Sequence, residues 1–397
     1  MQMQVLQKLC EIETPAYVFD IENFRKKIAE IGEQLSRKVN AKLCYAMKAN
    51  PFLVRIAIPY VDKVEVCSPG EMSICKLLKV PADKIVLSGV NKEDGDVKEA
   101  MDYGVQTYTA ESLKHLFIIQ QCAEEAKRYV KILLRLSSGN QFGVDIATIK
   151  EMIERKKEFP NLQICGIHYY SGTQKKSERI EKELESLNAI YEDIKTEYAL
   201  ELEKLEYGPG LPIDYFGKGS KGDEVLENCI NALNQIDKKV EITIEMGRYL
   251  AAECGTYITK VVDVKSTNGK EYVIVDGGIH HVNYYGQVMG VRIPPVRYFK
   301  KVNRDYVEEA VDKKTCEKTV CICGSLCTTA DVLAGELPIK NVKEEDIIVF
   351  EKIGSYSVTE GIYLFLSRKL PKVFLLEDGE LRLVRDSYET YKWNCEQ

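Results

Sequence analysis

No stretch of the 397-residue chain approaches the roughly 18 uninterrupted apolar residues that a membrane span needs. The amino terminus, Met1 to Lys8, lacks the apolar core of a secretory leader, so a cytoplasmic protein with no membrane partner is expected. Positive charge is in deficit. Lys and Arg number 55 against 61 Asp and Glu, and the net charge of −6 argues against non-specific nucleic-acid binding, which needs a basic surface. Twelve prolines and 26 glycines are too few for a disordered or collagen-like polymer. Thirteen cysteines, an odd number scattered from Cys10 to Cys395, do not form a disulfide framework and read mostly as small buried apolar residues. What is present is a globular composition, 45% hydrophobic and 29% charged. The length suits two domains with a large core.

The first two-thirds alternate. Short apolar, β-branched runs occur at 43–48, 63–67, 84–88, 105–110, 130–136, 164–170, 203–207 and 241–246, with amphipathic stretches such as 71–79 and 175–200 between them. Strands alternating with helices imply parallel βαβ units, and eight of them fit a (β/α)8 barrel over residues 17–253. After residue 254 the texture changes. Runs at 256–264, 271–275, 319–323, 347–350 and 381–384, separated by turns such as Asn268-Gly269 and Asp378-Gly379, read as antiparallel strands. Residues 254–397, joined by 1–16, therefore form a second, β-rich barrel or sandwich domain. The run Glu344-Glu345-Asp346 reads as a solvated turn.

A barrel of this kind carries its site at the carboxyl ends of its strands. The first strand runs into Met47-Lys48-Ala49-Asn50-Pro51, where a desolvated lysine becomes a nucleophilic amine. The sixth runs into His168-Tyr169-Tyr170-Ser171-Gly172-Thr173-Gln174, offering an imidazole, an aromatic face and hydroxyls. The seventh ends at Tyr207-Gly208-Pro209-Gly210, where glycines let backbone amides approach an anion. The eighth ends at Glu245-Met246-Gly247-Arg248, a carboxylate and a guanidinium suited to opposite ends of a charged ligand. Each has a plainer reading: a solvent-reaching lysine, a satisfied core histidine, an ordinary turn, a local ion pair. Cys321, Cys323 and Cys327 match no paired Cys-x-x-Cys spacing, and no supporting cluster accompanies His280 and His281, so no metal is expected.

Taken in order, these pieces resemble the fold-type III, pyridoxal phosphate (PLP)-dependent decarboxylases, the family of the diaminopimelate and ornithine enzymes. The match runs from Thr14-Pro15-Ala16-Tyr17 to about Tyr363. The resemblance implies a PLP-binding barrel of the alanine-racemase type, a second β-domain and a head-to-tail homodimer with sites at its interface. It implies that Lys48 forms the Schiff base with the cofactor and that Glu245 pairs with the pyridine nitrogen. Gly208, Gly210, Gly247 and Arg248 would hold the phosphate with Tyr356 and Thr173, while Glu65, Arg135 and His168 would lie near the cofactor. Cys327 would reach across the dimer and protonate the carbanion. Racemases of this fold place an arginine at the ring nitrogen, so Glu245 favours decarboxylation.

Three departures bear on substrate. Tyr170 stands where the family commonly stacks a histidine on the cofactor ring. Thr328 follows Cys327 where diaminopimelate enzymes carry a glutamate for the distal amine. No arginine precedes Tyr285 to hold a distal carboxylate. Diaminopimelate is therefore disfavoured, and ornithine and lysine are weakened, although Asp331 or Glu360 offers a carboxylate for an amine. Arg248, His281, Tyr285, Thr328 and Asp331 are the expected substrate contacts. The motifs His-x-Tyr-x-Gly-Thr-Gln, Asp-Gly-Gly-x-His-His and Leu-Cys-Thr-x-x-Asp are closest to the butirosin-pathway branch, which decarboxylates a glutamyl group held on an acyl carrier protein. The expected partner is thus an amino acid or an aminoacyl carrier protein. An ornithine, lysine or diaminopimelate decarboxylase, a racemase of the same fold and a non-catalytic PLP-binding regulator are the alternatives.

Overall fold

The structure is a computed structural model that describes residues 3–217, 219, 221–312, 314, 316 and 318–396. The expected β-rich domain therefore includes a few positions (1, 2, 313, 315, 317 and 397) that lie outside the described residues. The chain divides into two compact units, one of residues 25–213 with 221–250, the other of 1–24, 214–220 and 251–397.

The first strand, β1 (Ala16–Asp20), belongs to the second of these units. The barrel follows: β2 (Lys42–Ala46), β3 (Lys63–Val66), β4 (Ile85–Leu87), β5 (Thr107–Ala110), β6 (Val130–Arg135), β7 (Leu162–Tyr170), β8 (Lys204–Gly208) and β9 (Glu241–Met246). Each pairs in parallel with the next, and β9 closes on β2 through Lys42–Thr243 and Cys44–Glu245, so the eight expected strands form a closed (β/α)8 barrel. Its strands are nearly continuous buried runs because helices cover the outside, as in Ile85–Leu87, buried throughout. The helix Pro69–Leu78 begins on Ser68, whose hydroxyl accepts from the Glu71 amide, with Pro69 at its first position.

The β-rich unit contains β10 (Gly255–Thr267), β11 (Lys270–Val275), β12 (Val296–Val302), β13 (Asp305–Glu309), β14 (Val320–Cys323), β15 (Val332–Leu337), β16 (Ile347–Phe350), β17 (Lys372–Glu377) and β18 (Glu380–Arg385). Its main sheet runs β13-β12-β16-β10-β1-β17-β18, with β11, β14 and β15 branching from β10. The sheet is mixed, not wholly antiparallel. β1 pairs in parallel with β17, and β11 with β14. Strands so far apart in sequence need no hairpin, which removes the constraint that favours antiparallel neighbours. For the same reason the barrel does not begin at residue 17: β1 lies between β10 and β17 in this sheet. Leu9 and Cys10, on the helix Met3–Glu11, enter a core with Val18, Ile258, Phe299 and Val349. The acidic turn is not wholly solvated. Asp346 is buried, accepting from the Tyr298 hydroxyl at 2.6 Å and from the Lys301 and Lys343 amides.

Candidate active site

The barrel's carboxyl end gathers the expected residues. β2 ends at Ala46, and Lys48 sits in the single 3-10 turn that follows. Asn50 precedes Pro51 and is extended, as the residue before proline must be. Its side chain accepts from the Phe52 amide, and its carbonyl accepts from Tyr45 at 2.9 Å. These bonds pin the turn. Gly247, after β9, packs against it, where a Cβ would lie 2.8 Å from that of Ala49.

Lys48 Nζ lies 2.5 Å from Glu65 Oε2 and 3.4 Å from Glu245 Oε1. The lysine side chain is 36% exposed while the two carboxylates are 1% and 5% exposed, so the amine is the accessible end of a buried cluster. His168 Nε2 meets Glu245 Oε2 at 3.0 Å. Burial opposes the charge on Glu245, but the Lys48 ammonium and the His168 hydrogen bond outweigh it and hold the carboxyl well below the usual carboxylate range. Glu65, His168 and Glu245 have the composition of a metal site, but the Lys48 ammonium lies against both carboxylates and supplies the cation they need.

Tyr170 is half-buried at the end of β7, and burial raises its phenol. It pairs in register with Gly208, where a Cβ would come 2.5 Å from its ring. Gly208 is thus required by the tyrosine. Gly210 has φ +60° and lies so near Gly172 that a Cβ would be 2.0 Å from the Gly172 carbonyl oxygen. Local packing alone demands both glycines. Thr173 and Arg248 are partly exposed at the same end. Arg135, buried at the end of β6, bonds Glu111 at 3.0 Å and lies 4.9 Å from the Phe142 ring centre.

Several functional candidates went unread in the sequence. Glu111 follows β5, holds Arg135 and accepts from the Gly143 amide. Lys92, beyond β4, is buried and donates to the Gly89 carbonyl; burial lowers it to about 8. Glu206, inside the barrel on β8, is pushed up to about 7 by burial first, with Glu245 and Glu65 adding to it against the pull of His168. Inspecting what ends every strand would have found Glu111.

The β-rich unit carries the remaining candidates. Asp331 is buried, its Oδ1 accepting from the Ile279 amide at 2.8 Å and its Oδ2 from Leu326 at 2.7 Å. The expected carboxylate for a substrate amine is therefore spent on backbone, and it shapes the loop that leaves Cys327 and Thr328 exposed. Glu360 accepts from the Asn283 side-chain amide. His281, expected at the substrate, is buried with Nδ1 2.8 Å from the Tyr257 hydroxyl. His280 packs against it, the ring centres 3.7 Å apart and the planes tilted by 40°. Burial drives both imidazoles down, His280 to about 4, so they are neutral packing groups near neutral pH. Tyr285 is 49% exposed, and Tyr356 is partly exposed with φ +67°. Cys321 and Cys323 share a strand face, their sulfurs 3.7 Å apart, while Cys327 is exposed.

A closed parallel barrel with a partly exposed strand-end amine held between buried carboxylates has the form of an enzyme site at the carboxyl end of its strands. The particular family follows from comparison. Residues 21–252 match the pyridoxal-dependent decarboxylase, pyridoxal binding domain, and the chain belongs to that family as a PLP-dependent amino-acid decarboxylase. It is 24% identical to the L-glutamyl-[BtrI acyl-carrier protein] decarboxylase of Niallia circulans, over 97% of this chain and 94% of that one. It is 25% identical to the 2-[(L-alanin-3-ylcarbamoyl)methyl]-2-hydroxybutanedioate decarboxylase of Staphylococcus aureus, over 91% and 93%. The crystal structure of diaminopimelate decarboxylase from Helicobacter pylori with L-lysine superposes with a TM-score of 0.83 at 21% identity, covering 97% of each chain.

The residues present fit the cofactor. Glu65 Oε1 and His168 Nδ1 are buried polar atoms with no hydrogen-bond partner among the described residues. They flank the accessible Lys48 amine and a carboxylate kept ionised. That donor set suits a protonated pyridine ring with polar substituents.

Proposed function

We propose that the protein decarboxylates an α-amino acid whose far end is acylated to a larger body, in the manner of an aminoacyl carrier protein, and that it works as a homodimer. The observation that carries the substrate reading is the neutral Thr328 beside Cys327, together with an Asp331 whose oxygens are both engaged. A free diamino acid brings a distal ammonium, and burying it without a carboxylate is costly. An acylated end carries no such charge. Two relatives whose names describe acyl- or amide-linked substrates support the same reading.

Lys48 would hold the cofactor through its amine, and Glu65, 2.5 Å away, would accept the proton that the ammonium must lose to become a nucleophile. The cofactor supplies an electron-withdrawing ring that takes up the electron pair left when carbon dioxide departs. Glu245 would keep the ring nitrogen protonated, and His168 holds Glu245 in place through a 3.0 Å hydrogen bond. Tyr170 would offer a ring face, and Arg248 with Thr173 would serve the cofactor phosphate. Arg135, steadied by Glu111, lines the cofactor's surroundings. The Cys327 thiol of a second copy gives its proton to Cα.

The test is carbon dioxide release by PLP-loaded protein. Release is expected from glutamyl-loaded carrier protein and not from free ornithine, lysine or diaminopimelate. Release from a free diamino acid overturns the substrate reading. Exchange of the α-hydrogen without carbon dioxide overturns decarboxylation in favour of racemisation. Lys48→Ala is expected to abolish both the visible absorbance of bound cofactor and turnover; turnover that survives removes Lys48 from the reaction.

A further inference from the structure

Beside the barrel mouth lies a cavity of about 820 Å³, walled by the turns after β6 and β7 and by the helix Ser177–Tyr198. Tyr169 lines it from the outer face of β7, beside Tyr207 and opposite the face that carries His168, so the cavity lies on the helix-covered side of the barrel wall at the same end as the site. Four cations, Lys175, Lys176, Arg179 and Lys182, face two carboxylates, Glu178 and Glu183, in a chain whose net charge is −6. Glu183 is already saturated. It accepts from Lys175 at 2.7 Å, Arg179 at 3.0 Å, the Tyr207 hydroxyl at 2.8 Å and the Ser171 hydroxyl. Lys175 is itself buried, so this network forms a rigid floor. Lys176 and Lys182 are exposed and take part in no ion pair among the described residues. Cationic walls around such a concavity attract an anion. The volume is that of a whole small ligand, about 300–1,000 Å³, which is far more than a lone ion fills.

The geometry points to this cavity as the seat of an anionic tail on the substrate, a phosphate or carboxylate group carried beyond the acylated end, with Lys176 and Lys182 reading its charge. This rests on the acylated-substrate reading above and gives that substrate a second point of recognition. The tail can be the phosphate of a carrier-borne arm or the carboxylates of a small polyacid.

Titration calorimetry on the PLP-loaded full chain tests it, with cofactor already filling its own phosphate site. The probes are pantetheine 4′-phosphate, pantetheine without phosphate, and citrate. At least one anionic probe is expected to bind, more weakly as salt rises, while uncharged pantetheine does not. The double variant K176E/K182E is expected to weaken that binding by about tenfold or more, and Lys182→Gln by less. Both side chains are exposed, so cofactor absorbance and circular dichroism should stay unchanged. Preference for the phosphate identifies a carrier arm, and preference for citrate a polyacid tail. No binding of either anion, or equal binding by the double variant, overturns the assignment. Failure of the acylated-substrate reading shows separately, as carbon dioxide release from a free diamino acid.

Discussion

At the scale of single residues, the site is a problem in charge balance. Lys48 is one ammonium among three interior carboxylates, Glu65, Glu206 and Glu245, and His168 adds a hydrogen bond to only one of them. Glu245→Gln keeps the shape but removes the charge proposed to hold the ring nitrogen protonated. A loss of about 10²-fold or more in kcat is expected with cofactor still bound, read by steady-state kinetics and absorbance. Glu206 resolves the remaining imbalance by staying protonated to about pH 7. Between the unfolded value near 4.3 and about 7 the folded chain binds more protons than the unfolded one. Wild-type stability therefore falls as pH rises through that window. Glu206→Gln escapes the loss, and should gain about 3 kcal/mol on wild type between pH 5 and pH 8 in denaturant titrations. An equal difference at both pH values would show that Glu206 is ionised throughout. Lys48 and Glu245 were legible because they end strands in recognisable strings. Glu206 was not, since a carboxylate inside a strand looks like any exposed one until the barrel closes around it.

At the scale of elements, the pairing of β7 with β8 places Tyr170 opposite Gly208. Gly208→Ala puts a methyl 2.5 Å from the ring and must displace it. A cost of about 1–3 kcal/mol is expected, with weaker cofactor retention and an intact fold, checked by thermal unfolding and gel filtration of loaded protein. Retention equal to wild type would mean that Tyr170 does not touch the cofactor. The 324–331 loop makes the opposite point. Its sequence offered Asp331 as a substrate ligand, whereas the backbone amides of Ile279 and Leu326 take both its oxygens. Only tertiary contact says which donors a carboxylate finds.

At the scale of the whole molecule, the candidates divide between the units, with Lys48 in one and Cys327 in the other. If a second copy supplies Cys327, then Lys48→Ala and Cys327→Ala, each inactive alone, should recover partial turnover when mixed under conditions that exchange subunits. Mixed protein as inactive as its parts would confine each site to one chain. Sedimentation of the separate variants checks that both still assemble.

Periodicity settled the barrel, because a parallel strand must be buried on both faces, and strand-end chemistry offered the candidate residues, because a barrel's site stands at one end of its strands. The eight runs, Lys48, His168 and Glu245 were readable on those grounds, whereas Glu65 was offered only by the family resemblance. Tertiary structure alone decided the rest: that β1 inserts between β10 and β17, that His280 and His281 are packed away, and that Asp331 is engaged by backbone amides. Local sequence carries propensity and pattern, but long-range pairing and the desolvation of a charge depend on neighbours hundreds of residues distant.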